Sequence, residues 1–178
     1  MSISEHAARL GIETCIEFDP AIIGPEERIR NYCRQNECGT YGKNYMCPPY
    51  IGTLDEIRDK LRGYKRGLLF QYWLPLDVKN DREGVIRSKL DFHRKILELE
   101  EFVKADGTEK TWGLIGGSCG LCDSCNVLTG KPCAHPDEAR ASLEAIGIDV
   151  SALLGTFGLE LEFRDDRITW TGCILVGD

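Results

Sequence analysis

The sequence predicts an α+β fold in which a mainly antiparallel sheet packs with helices. Short apolar runs at residues 66–74 and 168–176 have the length and composition of core strands. Residues 82 to about 104 carry apolar side chains at helical spacing, which predicts one long helix. With 178 residues the chain is long enough to bury a core, and we expect residues 1–178 to form a single domain.

The first half of the chain predicts three further elements. A short strand is expected over residues 12–18. A helix with proline in its first position and acidic residues in its first turn is predicted over residues 25–33. A Thr-x-x-Glu capping box at Thr53 begins another helix, which continues to about Gly63.

The second half predicts the remaining elements. Residues 111–115 are expected to form a short strand. Residues 136–147 are expected to form a helix that ends at its terminal glycine, and Asp149 is expected to cap a further short helix. Apolar segments at residues 159–163 and 167–176, separated by Arg-Asp-Asp, are typical of a β-hairpin.

Charge and hydropathy exclude several classes of protein. The chain has 22 Lys and Arg against 29 Asp and Glu, so its net charge of −7 argues against a nucleic-acid partner. No apolar run approaches the ~18 residues of a membrane span, so we expect no membrane association. Residues 1–10 lack the basic and then apolar pattern of a secretory signal, and we therefore expect a cytoplasmic protein.

Nine cysteines are the most informative feature of the composition. An odd number cannot pair completely in disulfides, and disulfides are rare in the reducing cytosol. Cysteine-rich cytosolic chains more often bind metal or carry out redox chemistry, so the spacing of the cysteines decides the interpretation.

The more specific cysteine group lies late in the chain. Cys119, Cys122 and Cys125 follow the C-x2-C-x2-C pattern, and Cys133 comes seven residues later. This pattern begins the bacterial ferredoxin motif for a [4Fe–4S] cluster, although that motif places its fourth cysteine after three residues and before proline. Zinc is the alternative, but structural zinc sites generally use two well-separated C-x2-C pairs.

An earlier group predicts a second inorganic site. Cys33, Cys38 and Cys47 follow a C-x4-C-x8-C pattern, and Pro48 and Pro49 come directly after it. Three cysteines close in sequence, followed by a rigid pair of prolines, favour a second [4Fe–4S] cluster. Zinc or no metal are the alternatives.

The number of ligands leaves a question open. Two four-iron clusters need eight ligands if each iron has one, whereas the two groups supply seven. Cys15 or Cys173 is the eighth if the fold brings either close; otherwise each is a small buried hydrophobe in a strand. Alternatively, one iron of the first cluster has no cysteine and binds water or substrate as a Lewis acid. In a third arrangement, Cys133 serves the other cluster, as in two-cluster ferredoxins.

A few polar residues near these groups are candidates for supporting roles. His93 lies on the inner stripe of the long helix and is expected to pack in the core. His135, two residues after the last cysteine of its group, is a candidate to tune a cluster's potential, or else a solvated loop residue. Tyr41, Lys43 and Tyr45 lie inside the first cysteine loop. If that site has an open iron, they are the polar groups nearest to a substrate; otherwise they are simply loop residues.

Taken together, the two cysteine groups and their flanking residues resemble DUF2284, a family of predicted metal-binding proteins of anaerobic bacteria and archaea. The resemblance runs from about residue 33 to the end, and it departs at Ala141, where many members have proline. It implies iron–sulfur binding in an anaerobic setting and no particular reaction. The matching signatures are Cys33-x4-Cys38 with Tyr41-Gly42, Cys47-Pro48-Pro49, Gly117-Ser118-Cys119-x2-Cys122-x2-Cys125, and Cys133-Ala134-His135-Pro136.

Two functional hypotheses follow from these patterns. The first is an iron–sulfur protein with two [4Fe–4S] clusters that transfers electrons to a redox partner protein or performs redox chemistry. The second is an enzyme whose three-cysteine cluster uses an open iron as a Lewis acid on a small-molecule substrate. A structural zinc-binding protein is a further alternative. A homodimer is compatible with each of them.

Overall fold

The structure, a computed structural model, describes residues 1–105, 107 and 110–177. Its strands are β1 (Thr14–Phe18), β2 (Arg66–Pro75), β3 (Thr111–Leu114) and β4 (Arg167–Val176). They form an antiparallel sheet with the order β1-β2-β4-β3, and helices cover both faces, which confirms the predicted α+β fold class. The α-helices of the described residues are α1 (Ile3–Arg9), α2 (Glu27–Gln35), α3 (Leu54–Leu61), α4 (Arg82–Ala105) and α5 (Val150–Thr156). Short 3₁₀ helices lie at Pro20–Ile22, Asn126–Thr129 and Glu144–Ile146.

β2 and β4 form the centre of the sheet. They pair antiparallel along all ten residues of each strand. Because side chains alternate between the faces of a strand, Leu69 of β2 joins one core while its neighbours Leu68 and Phe70 join the other. This burial on both faces explains the continuous apolar runs that predicted the two strands.

α4 covers one face of the sheet. Its apolar side chains Phe92, Ile96, Leu99 and Val103 are spaced four, three and four residues apart, so they form one stripe along the helix. The long helix predicted from this spacing is confirmed. α1, which the sequence pattern did not indicate, joins the same core through Ala7.

The opposite face is covered by α3, α5 and the segment 139–148. The predicted capping box at the start of α3 is present: the Thr53 hydroxyl accepts the N–H of Glu56, and the Glu56 carboxylate accepts the N–H of Thr53 at 2.7 Å. Asp149 caps α5 as predicted, accepting the N–H of Ala152 at 2.9 Å.

The helix predicted over residues 136–147 is wrong, because the segment forms turns and only a short 3₁₀ helix near its end. The carbonyls that a helix would use have other partners. The Nε2–H of His93 donates to the carbonyl of Glu138, and the N–H of Ile115 donates to the carbonyl of Ala141, both at 2.9 Å. Tertiary hydrogen bonds therefore override the local helical pattern.

The predicted C-terminal hairpin is also wrong. Residues 159–163 are not a strand: Leu159 and Leu161 pack against the core, and the Gln71 side chain donates to the carbonyl of Glu160 at 3.2 Å. β4 pairs instead with β2 and β3, which are distant in sequence. Apolar periodicity identifies a strand but not the strand that it pairs with.

β3 forms one edge of the sheet and leads directly into the second cysteine group. That both cysteine groups lie at this edge, and that residues 1–178 form a single domain, remain predictions. Among the helices of the described residues, none combines the length and apolar character needed to cross a membrane.

Candidate metal centres

The first cysteine group is built at the end of α2. Cys33 lies in the last turn of this helix, which ends when Asn36 adopts a left-handed backbone with φ of 58°. The Asn36 side chain accepts the N–H of Tyr41 at 2.9 Å, which folds the chain back toward the helix. Cys38 and Cys47 then come from the series of turns that follows.

These three cysteines line one cavity of about 200 Å³. The hydroxyl of Thr40 lies between two of the thiols, 3.2 Å from the sulfur of Cys38 and 3.5 Å from that of Cys47. The sulfur of Cys33 lies 3.9 Å from the carbonyl oxygen of Glu144. The structure therefore brings the three predicted ligands of the first site to one cavity.

The second cysteine group follows β3. The chain leaves the strand through two glycines, of which Gly117 has a positive φ of 72° that favours glycine. Cys119, Cys122 and Cys125 line a cavity of about 590 Å³. The thiol of Cys133 is close enough to Cys119 and Cys122 to raise the pKa of both thiols, as a secondary contribution beside burial.

Direct hydrogen bonds join the two cysteine groups. The side-chain amide of Asn44, in the first loop, donates to the carbonyl of Cys119 at 2.8 Å. The hydroxyl of Tyr45 donates to the carbonyl of Lys131 at 2.7 Å. Thr40 also lines both cysteine cavities. The two candidate centres are therefore neighbours in space although about 70 residues separate them in sequence.

Burial disfavours the ionised form of the cysteine thiols in the metal-free protein. Removal from water raises the pKa of Cys33, Cys47 and Cys119 above the ordinary value for cysteine, and the neighbouring thiols raise it further. Because a metal binds the thiolate and not the thiol, the metal must displace these protons when it binds.

The donor set is that of a soft metal centre. Thiols are soft ligands that favour iron–sulfur and zinc centres over hard cations. A single zinc ion needs sulfurs that are about 3.8 Å apart, as the Zn–S distance of a tetrahedral site dictates, whereas a four-iron cluster holds each thiolate on a different iron. Within the described residues, no three Cys, His, Asp or Glu side chains form a group that could hold one metal ion.

The two lone cysteines lie away from both groups. Cys173 is fully buried in β4, where it stands opposite Leu69 on one side and Leu114 on the other, and burial raises the pKa of its thiol. Cys15 lies on β1, at the edge of the sheet opposite to β3, and contributes to the other core. Neither lines a cysteine cavity, so the fold does not supply an eighth cysteine from either position.

The polar residues that were candidates for supporting roles lie in different parts of the fold. His93 is buried in the core as predicted, and burial lowers the pKa of its ring. His135 faces Glu138, with Nδ1 3.1 Å from the carboxylate. Tyr41 lines the cavity of the first group, whereas Lys43 lines that of the second.

Two acceptors in the first cavity were missed by the sequence reasoning. Glu144 and Ser142 line the cavity together with the three cysteines, and burial raises the pKa of the Glu144 carboxyl. They come from the segment predicted as a helix about 100 residues after the first group. No local pattern marks such a long-range contact.

A model of one protein family, described as a predicted metal-binding protein, matches residues 17–176 of the chain. That match includes all seven cysteines of the two groups and nearly the whole sheet. No curated protein and no solved structure matches the chain. The cysteine-lined cavities and the extent of the match agree, and the chain belongs to the DUF2284 family of predicted metal-binding proteins.

Proposed function

We propose that this protein binds two [4Fe–4S] clusters and acts in electron transfer or redox chemistry. The first cluster is held by Cys33, Cys38 and Cys47, and the second by the later group. The ligands of the second cluster are Cys119, Cys122, Cys125 and Cys133.

The observation that carries this proposal is the contact between the two cysteine loops. The amide of Asn44 fixes the backbone at Cys119, and Thr40 lines both cavities. A bound [4Fe–4S] cluster supplies one-electron redox chemistry. This chain holds the two sets of cysteines side by side, which suits electron exchange between the sites or with a partner protein.

A second candidate function is favoured by the missing eighth cysteine. The first cavity has three thiols, and Cys15 and Cys173 lie elsewhere in the fold. Glu144 and Tyr41 line the same cavity, so a small molecule entering it would meet residues whose side chains can exchange a proton. On this alternative the protein is an enzyme whose open metal position acts as a Lewis acid.

Spectroscopy of anaerobically prepared protein tests the proposal. After chemical reduction, we expect electron paramagnetic resonance signals from two [4Fe–4S] clusters that broaden one another, because the sites adjoin. Protein that contains zinc and neither iron nor acid-labile sulfide would contradict both cluster functions and leave the structural zinc alternative.

The same preparation distinguishes the two candidates. In Cys122→Ala, which retains the first site, cyanide should alter the signal of the remaining cluster if one iron lacks a cysteine. An unchanged signal would oppose the enzyme alternative and favour electron transfer alone.

A further inference from the structure

A buried cation without a counter-ion lies beside the first cysteine site. Arg30 of α2 is only 5% exposed, and its Nη1 donates to the carbonyl of Gly52 at 3.0 Å. Its Nε and Nη2 are buried and have no hydrogen-bond partner among the described residues. A guanidinium stays charged in proteins, and a buried charge without a partner is costly. An anionic ligand would therefore supply the partner that this guanidinium lacks.

Arg30 lines a cavity of about 400 Å³ between α2 and α3 that none of the cysteines lines. Two further arginines and two carboxylates line it as well, and they form ion pairs. Arg34 pairs with Glu27, and Arg58 pairs with Asp55 at 2.6 Å. The cavity therefore has one more arginine than carboxylates, and Arg30 is the arginine that forms no ion pair among the described residues.

This cavity is next to the first cysteine site. Tyr41 and Pro48 line both the cysteine cavity and the arginine cavity, so they form the boundary between the two. A small molecule held at Arg30 would therefore lie one side chain away from the three thiols.

We propose that the arginine cavity binds the carboxylate or phosphate group of a small anionic substrate, with Arg30 as its principal contact. The planar fork of a guanidinium matches the paired oxygens of either group. The role as a substrate site rests on the proposed function, whereas the binding of the anion does not.

One other group competes for the free nitrogens of Arg30. Cys33 lies three residues later on the same face of α2, where its thiolate would be within the influence of the guanidinium. Arg30 lines the arginine cavity and not the cysteine cavity, which favours the anion. The experiment must nevertheless separate an anion site from an electrostatic partner of the cluster.

Calorimetric titration of the anaerobically prepared full chain tests the proposal. Inorganic phosphate and succinate are titrated separately at constant ionic strength, with chloride as the control anion. We expect saturable binding of phosphate, succinate or both, and the stronger ligand identifies the anionic group of the substrate. Binding of neither anion would overturn the proposal.

Three variants assign the binding to Arg30. Arg30→Met, which removes the charge but keeps the length, should weaken binding by about tenfold or more. Arg30→Lys keeps the charge but loses the fork, so intermediate binding is expected. Arg87→Met removes an exposed cation of α4 and should bind like the wild type. If Arg30→Met does not fold by circular dichroism, the comparison rests on Arg30→Lys.

Two measurements on the same samples separate the possible failures. If Arg30→Met, or Arg30→Lys in its place, binds the anion like the wild type, the proposal is wrong. A changed reduction potential in that variant would then show that Arg30 acts on the cluster. Iron and sulfide analysis reports independently on the proposed function. An Arg30-dependent anion site in protein without iron would support the cavity assignment while contradicting the cluster function.

Discussion

At the scale of single residues, Thr40 has the most direct contact with the first candidate centre. Its hydroxyl lies within 3.5 Å of the sulfurs of both Cys38 and Cys47. A hydroxyl can donate a hydrogen bond to a cysteine sulfur, and such bonds are one of the factors that set the reduction potential of a cluster. The sequence places a threonine in the loop but does not reveal that it reaches two ligands.

Thr40→Val therefore tests this contact, because valine has the same shape without the donor. We expect the iron content to be unchanged and the reduction potential of the first cluster to fall, since a hydrogen bond to sulfur favours the reduced, more negative cluster. Redox titration followed by electron paramagnetic resonance measures the potential. Thr40→Ser is the control and should stay near the wild-type value; equal potentials for valine and threonine would contradict the assignment.

At the scale of secondary-structure elements, the site depends on how loops from distant parts of the chain meet. Asn44 is the clearest link, because its amide donates to the carbonyl of Cys119 while its carbonyl oxygen accepts the N–H of Met46 at 2.9 Å. One buried side chain therefore satisfies backbone groups in both loops.

Asn44→Asp separates these two roles, because aspartate still accepts from Met46 but cannot donate to Cys119. Leaving that carbonyl without its donor should destabilise the fold by about 1–3 kcal/mol. Urea denaturation of the apo protein measures the change. Asn31→Asp is the control, at an exposed position of α2 where the side-chain oxygen accepts a hydrogen bond from Arg34 and aspartate still can. It should stay within about 0.5 kcal/mol of the wild type. Equal stability of Asn44→Asp and the wild type would show that the contact does not hold the loops together.

Local sequence patterns predicted those features of the helices that depend only on residues nearby in sequence. The capping box at Thr53, the cap at Asp149 and the spacing of α4 are all contained within a few turns of chain. The segment 136–147 was predicted wrongly, because His93 and Ile115 take carbonyls that a helix would have used. Propensity within a segment gives no information about such partners.

In the candidate site, the cysteines could be predicted from the sequence, whereas the residues that reach the cavities through tertiary packing could not. Cysteine spacing identified the seven thiols that line or adjoin the two cavities, because ligands of one cluster tend to lie close in sequence. The positions of Cys15 and Cys173 depended on the sheet order. Arg30 and Glu144 could not be found in the sequence, because their burial and the cavities they line arise only from tertiary packing.

At the scale of the whole molecule, side-chain contacts hold the sheet against α4. Tyr72 of β2 bonds to Asp91 of α4 at 2.8 Å, and its ring stacks on Phe92. Burial, together with this carboxylate, raises the pKa of Tyr72 to about 12. The neutral phenol therefore contributes to the contact between sheet and helix.

This pKa predicts how the stability of the protein depends on pH. The folded state binds the phenolic proton more tightly than the unfolded chain does, so the stabilisation is complete below the ordinary tyrosine pKa of about 10. It should be lost as the pH rises from about 10 through 12. Urea denaturation at a series of pH values measures this loss, and Tyr72→Phe should make it smaller. An equally steep loss in Tyr72→Phe would assign the effect to other groups.

The iron content of matched cysteine variants tests the central claim most directly. After anaerobic reconstitution, two [4Fe–4S] clusters predict about eight iron and eight sulfide per chain in the wild type. Cys47→Ala and Cys122→Ala should each retain about half, because each removes a ligand from one cluster only. Cys173→Ala, which changes a core thiol, should keep the full content. Zinc in place of iron, or a loss of iron in Cys173→Ala equal to that in Cys122→Ala, would contradict the account.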